Sequence, residues 1–408
     1  MDLQNLKEHY GELISFMEKN GYCEHYIRLF REEIRHILSH AEGNSWESYR
    51  DIYLDYLKSP HSENYLRNKR TIIGALEQFD VFGRFPDGRR RHSLFERGTY
   101  HLLEPEFQEL IDFYCRYERQ RGKKETTIRG ESHNAASFLF QMQEQGARCL
   151  EDLTEESVLS FFVSEEGSLI KSCSYKKNIA AVFKAGLKWK AQQCRRILAL
   201  LPMLRETRKN IQYLTADEII VLRDAAAQEG MSVRNRAILL LLIFTGLRGC
   251  DIAALTLDAV DWEKETILIS QQKTEVPVEL PLSAVVGNAI YDYLTEERPD
   301  TGDCHVFLSE TRPFSPLASR SIGSIVAKVF KTAEIRQEPG SRKGTHIFRH
   351  NLASSMLENG VPQPVITQTL GHTAPDSLEP YLRADFVHLK ECALSVEPFP
   401  LAGEVLSV

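Results

Sequence analysis

At 408 residues, with 42% hydrophobic and 26% charged side chains, the chain has an ordinary globular composition and the length for two or three domains. No run approaches the ~20 apolar residues that span a bilayer, and Met1-Asp2-Leu3-Gln4-Asn5 lacks the basic-then-apolar pattern of an export signal, so a cytoplasmic protein with no membrane partner is expected. Eight scattered cysteines without a CxxC pair read as small apolar fillers in a reducing compartment, not as a disulfide framework or a zinc site.

The first half reads as helix after helix. Tyr65-Leu66-Arg67-Asn68-Lys69, followed by Ile72, Ile73 and Leu76, echoes Tyr175-Lys176-Lys177-Asn178-Ile179, followed by Val182 and Phe183. Tyr26-Ile27-Arg28 leading to Trp46-Glu47-Ser48 parallels Thr127-Ile128-Arg129 leading to Leu153-Thr154-Glu155. A repeat of roughly 100 residues predicts two tandem helical modules, 1–95 and 105–205. Either the first duplicates the second, or amphipathic helices resemble one another by chance. Between them Phe85-Pro86-Asp87-Gly88 reads as a linker turn, and Arg89, Arg90 and Arg91 behind it either touch phosphate or stand solvated.

Net charge is −7 and the pI about 6.1, which argues weakly against a nucleic-acid partner. Binding DNA takes local positive charge, however, not a basic average. Between 171 and 210 eleven lysines and arginines face one acid, Glu206. A helix is predicted near 175–196, and at ~100° per residue Lys177, Lys184, Lys188 and Arg195 fall on one stripe of it. Ile179, Val182, Phe183 and Leu187 take the other side, so one face enters a core while four cations are offered to a phosphate backbone.

After Asn210 the character changes. Thr215-Ala216-Asp217-Glu218 is a capping box that opens a helix, and Arg236 to Phe244 is an apolar helix ending at Thr245-Gly246. Thr266-Ile267-Leu268-Ile269 and Val276-Pro277-Val278-Glu279-Leu280 flank Gln271-Gln272-Lys273-Thr274, a hairpin with Lys273 at its turn. Helices follow over 284–294, 319–332 and 345–359, the last stopped by Gly360.

This domain carries side chains suited to attack on a phosphodiester, whose negative oxygens must be held by fixed cations. Arg248 and Arg349 supply planar forks for two oxygens each, and Lys273 a movable proton donor. Asp251, three residues after Arg248, either orients its guanidinium or is an ordinary first-turn acid. His346 lies three residues before Arg349 and shares its helix face, whereas His350 points off it. His372 follows the helix-stopping Gly371, and Tyr381 stands nine positions later. Tyr291 and Tyr293, the rival phenols, precede the cluster and are expected to pack a helix.

In order and spacing, Arg248, Lys273, His346, Arg349, His372 and Tyr381 resemble the tyrosine recombinase (integrase) family. The resemblance is specific from about 212 to 395, looser over 105–205 and weakest over 1–95. It implies a mainly α fold with a small antiparallel β-sheet. Helical DNA-binding modules, a SAM-like one at 1–95 and a core-binding one at 105–205, would precede a mixed α+β catalytic domain at 212–395. Phe399, Leu401, Val405 and Leu406 make the tail, 396–408, apolar enough to dock on a neighbouring protomer or on its own domain.

Further implications of the resemblance concern chemistry. Tyr381 would be the nucleophile, giving a 3′-phosphotyrosine without ATP, a metal or any cofactor, and Lys273 the general acid for the leaving 5′-oxygen. Double-stranded DNA is the implied partner, with a homotetramer on paired sites and an accessory DNA-bending protein. Integration, excision and transposition all fit. Pro380, immediately before Tyr381, departs from the usual pattern; a helix's first turn tolerates it, with Asp376 and Glu379 available as caps.

Rival readings are a zinc enzyme, a DNA-binding regulator that no longer cuts, and a type IB topoisomerase. His346 and His350 have ligand spacing, but Ile347 stands where HExxH needs its glutamate.

Overall fold

A computed structural model of the chain describes residues 2–41, 43–44, 46–87, 94, 98–204, 212–228, 230–371 and 378. The chain divides into two compact units, residues 1–14, 28–86 and 90–208 in one and residues 15–27, 87–89 and 209–408 in the other. The predicted linker arginines, Arg89 to Arg91, and the tail 396–408 lie outside the described residues.

The first helices are α1 (Gln4–Lys19), α2 (Glu24–His40), α3 (Tyr49–Leu57) and α4 (Glu63–Phe82). Asp80 ties α1 and α3 to α4: it accepts from the Leu6 amide (2.7 Å) and from the Tyr49 hydroxyl (3.0 Å). Next come α5 (Pro105–Gln120), α6 (Glu125–Glu144), α7 (Glu155–Phe162), α8 (Cys173–Gly186) and α9 (Ala191–Leu200). Their apolar faces converge on Phe107, Leu110, Phe138, Phe161, Phe162, Ile179 and Phe183, all buried. Phe138 meets Phe161 and Phe183 edge to face, with centroids at 5.1 and 6.1 Å.

The helix expected over 175–196 is two helices. The chain turns at Leu187–Lys190, and a Cβ at Gly186 would stand 2.7 Å from Cys194 Sγ and 2.8 Å from a Leu110 methyl. Glycine therefore lets the end of α8 close onto α9 and α5, and packing gained there interrupts the helix. Cysteine as apolar filler describes Cys194, which is buried; Cys23 and Cys304 are exposed.

The rest is built from α10 (Ala216–Ala227), α11 (Val233–Thr245), α12 (Gly249–Ala253), β1 (Val260–Asp261), β2 (Thr266–Ser270), β3 (Pro277–Pro281), α13 (Ala284–Asp292), α14 (Ser319–Thr332), α15 (His346–Glu358) and α16 (Gln363–Leu370). Apolar around much of its circumference, α11 is the central helix, with Ala237, Ile238, Leu239, Leu241 and Leu242 buried against α10, α13 and α15. The three strands pair antiparallel in the order β1-β2-β3, with Ile267 opposite Leu280 and Ile269 opposite Val278 on the buried face. Mainly α with one small antiparallel sheet is the fold observed. Among the described residues no helix is long and apolar enough to cross a membrane.

Candidate active site

Three segments of the second unit meet. The first begins where α11 stops: Gly246 is left-handed (φ +59°), and a Cβ there would lie 2.9 Å from Leu352 and 3.4 Å from the Arg349 backbone. Two residues on, Arg248 caps α12 in an extended conformation. Its Nη1 donates to Gln271 Oε1, while the nearest oxygen of Asp251 stands 3.9 Å away. Asp251, buried on α12, instead accepts from the Gln272 backbone amide at 2.9 Å.

The second segment is the β2–β3 hairpin. Gln271 N donates to Val276 O (3.0 Å) and Glu275 N to Gln271 O (2.7 Å), with Glu275 at φ +60°, and this closes a tight turn with Lys273 exposed at its tip. The third is α15 with α16. His346 opens α15 on the exposed side, and Arg349, one turn later, is only 4% exposed. Arg349 Nη2 donates to Leu370 O, one of the last carbonyls of α16, where the helix leaves acceptors unused and its dipole favours a cation.

Electrostatics put these segments around one imidazole. Burial first, then the positive charges of Arg248, Arg349, Lys273 and Arg342, hold His346 below the usual histidine range. His350 is pushed down to about 4, by burial and then by Arg342, His346 and Arg349. A ring held neutral can accept a hydrogen bond, and Arg342 Nη1 lies 3.2 Å from His350 Nε2. His350, expected to point off the face of His346 and Arg349, has Arg342 as its partner.

Of the expected site residues, then, Arg248, Lys273, His346 and Arg349 are brought together, and Asp251 lies against Arg248. His372 and Tyr381 lie outside the described residues, as do Asp376, Glu379 and Pro380. Tyr293 packs as expected, stacked on Phe307 at 5.5 Å, whereas Tyr291 is 58% exposed and meets Trp262 edge to face at 6.4 Å. Gln271 and Arg342 were missed. Burial of a glutamine at the edge of a hairpin depends on long-range packing, and Arg342 carried only the weak signal of an Arg-Lys pair.

The basic stretch divides on inspection. Lys177 and Lys184 are exposed on α8, Lys188 is exposed in the turn after it, and Arg195 is exposed on α9. Several neighbours have structural partners. Lys176 donates to Pro202 O, Lys190 meets Glu106 at 2.7 Å, and Arg196 donates to the carbonyls of Leu150, Glu151 and Leu153. Among the described residues, one group has ligand atoms spaced as a metal ion would need: Asp303, Cys304 and His305. There Asp303 Oδ1 already pairs with His305 Nδ1 at 2.7 Å.

The profile of the phage integrase family matches residues 212–388. Over 185 residues the chain is 34% identical to y4gC of Sinorhizobium fredii, described as an integrase/recombinase; the match spans 45% of this chain and 94% of that protein. It is 24% identical to the tyrosine recombinase XerA of Pyrococcus furiosus, over 69% of this chain and 92% of the relative. In fold it is similar to the site-specific recombinase XerH in a post-cleavage complex on a palindromic DNA, with a TM-score of 0.55 at 17% identity over 73% of this chain and 98% of that one.

Proposed function

Because the chain belongs to the phage integrase family of tyrosine-type site-specific recombinases, we propose that it cleaves and rejoins double-stranded DNA through a 3′-phosphotyrosine on Tyr381. The observation that carries this reading is the convergence on His346 of cations from three separate segments, Arg248, Lys273 and Arg349. An anionic phosphate arriving there meets guanidinium forks at Arg248 and Arg349, each suited to non-bridging oxygens. Attack by the Tyr381 oxygen forms the bond to phosphorus as the bond to the 5′-oxygen breaks. His346, unprotonated beforehand, takes the phenol proton; Lys273, at the tip of a hairpin, gives a proton to the departing 5′-oxygen. His372 adds a hydrogen bond to a phosphate oxygen. The ester stores the energy of the broken bond, and a 5′-hydroxyl from another strand reverses the steps.

Lys177, Lys184, Lys188 and Arg195 are assigned to the DNA backbone, across two helices and the turn between them. Two-fold sites match two-fold pairs of protomers, so exchange between two sites calls for a homotetramer. Integration, excision or transposition is the task.

The test uses nicked duplexes tiled across the genome that encodes the chain, with chelator present. A cut beside the nick frees a short fragment and traps a detergent-stable adduct. Mass spectrometry should find the nucleotide on Tyr381, and Tyr381→Phe should leave no adduct. Adduct on another residue, or a need for magnesium, overturns the reading.

A further inference from the structure

Gln271 lies between the cations, and no role has yet been assigned to it. Its side chain is 1% exposed, and both ends of the amide are engaged. Oε1 accepts from Arg248 Nη1 and from Thr274 Oγ1 (3.0 Å); Nε2 donates to Leu370 O (3.0 Å), the carbonyl that also accepts from Arg349. Space has been made for this amide. A Cβ at Gly371 would lie 2.6–2.7 Å from its oxygen, carbon and nitrogen, and Gly371 is left-handed (φ +59°), so a side chain there is excluded twice over.

The chemistry of the acceptor matters as much as its place. Asp251 stays 3.9 Å from Arg248, with Oδ2 lacking a hydrogen-bond partner, and spends Oδ1 on the hairpin backbone. Arg248 is thus gripped at close range by a neutral oxygen, which orients the guanidinium without adding a second carboxylate to the one 3.9 Å away. Gln271 is also two residues from Lys273, and one amide therefore spans the hairpin, the first arginine and the carbonyl that holds the second.

We propose that Gln271 is a positioning residue that registers Lys273, Arg248 and the C-terminal end of α16 on one phosphate. This rests on the active-site reading above. Wild-type protein, Gln271→Ala and the isosteric Gln271→Glu are compared on the captured nicked duplex and on the same duplex with sulfur at the scissile 5′-bridging position. Sulfur leaves without a proton, so this substrate no longer needs a well-placed Lys273.

On the oxygen substrate both variants should form adduct about a hundredfold more slowly at saturating DNA, the scale of losing one aimed donor. Binding should stay within about threefold and melting within a few degrees. Sulfur should narrow the deficit of Gln271→Ala at least about tenfold. Gln271→Glu should recover less, because its carboxylate neutralises Arg248 and repels Leu370 O. Wild-type rates in both variants overturn the inference, as does a deficit that follows lost binding or melting, or one that sulfur leaves unchanged. If wild-type protein itself gives no adduct, the active-site reading fails and the inference falls with it.

Discussion

Residues 4–82 and 99–200 show one helical plan put to two uses. Both run long, long, short, long: α1 to α4 and α5 to α8. In each, the short helix follows a capping box, at Ser48 and at Thr154, and the last helix is capped by a serine that accepts from a tyrosine amide, Ser62 from Tyr65 and Ser172 from Tyr175, both at 3.3 Å. Each also holds a knot of tyrosine, lysine and glutamate. Glu33, fully buried, accepts from Lys69 and from Tyr56 (3.2 Å); Glu131 accepts from Tyr114 and from Lys123 (2.8 Å). Helix order and caps match between the two halves, whereas the knots draw on different elements, α3 and α4 in the first and α5 with the turn after it in the second.

The difference lies in what becomes of the cations. On α4, Arg67 pairs with Glu63 at 3.6 Å and Lys69 is drawn inward by Glu33; on α8, Lys177 stands at the place of Arg67, two residues after the tyrosine, the buried Ile179 at the place of Lys69, and Lys184 is exposed further along the helix. The first module turns one of its cations into a buried ion pair, and the second carries exposed lysines on α8 and in the turn after it. We assign backbone binding to the second module on that ground.

Breaking the knots gives the largest contrast. Lys69→Ala leaves the buried Glu33 carboxylate without its cation and should cost about 3 kcal/mol, read as faster hydrogen exchange across α2 to α4 in the full chain. Lys123→Ala should cost only about 1 kcal/mol, since Glu118 keeps Arg121 at 3.1 Å and Glu131 keeps Tyr114. Equal losses would remove the claim that the first knot is the more deeply committed. Smaller, and directed at the surface, is the double change Lys177→Gln with Lys184→Gln. It should weaken binding to the captured duplex roughly tenfold and lower the salt slope by about two, while Arg67→Gln changes neither measurably. A comparable effect from Arg67→Gln would return DNA contact to the first module.

Local signals carried most of what the sequence disclosed. The capping box at Thr215, the stop at Gly246, the bounds of α14 and the hairpin around Lys273 each depend on residues within a turn or two of each other. Order and spacing alone pointed to Arg248, His346 and Arg349 as one cluster. What escaped was non-local: Gln271 takes its meaning from Leu370, 99 residues away, and the break after Gly186 from Cys194 and Leu110. Tyr291 and Tyr293 differ in depth, one exposed against Trp262 and the other buried, because helical spacing places a residue on a face without saying which face is covered.

The smallest contrast is one of pH. Burial first, and then His40 and Lys69, hold His36 on α2 below the usual histidine range, against the opposing pull of Glu33 and Asp55. An unfolded histidine takes up its proton near 6.5, so just below that pH the unfolded first module binds more protons than the folded one. Stability there is complete above about 6.5 and falls as acid is added. Asp80 and Glu77, whose carboxyls burial raises, act in the opposite sense but nearer the carboxylate range, which leaves the window from 6.5 to 5.5 to His36. After correction for intrinsic exchange, peptides of α2 to α4 should lose protection between pH 7.5 and 5.5 while those of α5 to α8 hold theirs, and His36→Gln should abolish the difference. Protection in the first module that ignores this window would mean that solvent already reaches the ring, and that its burial does not penalise the charge.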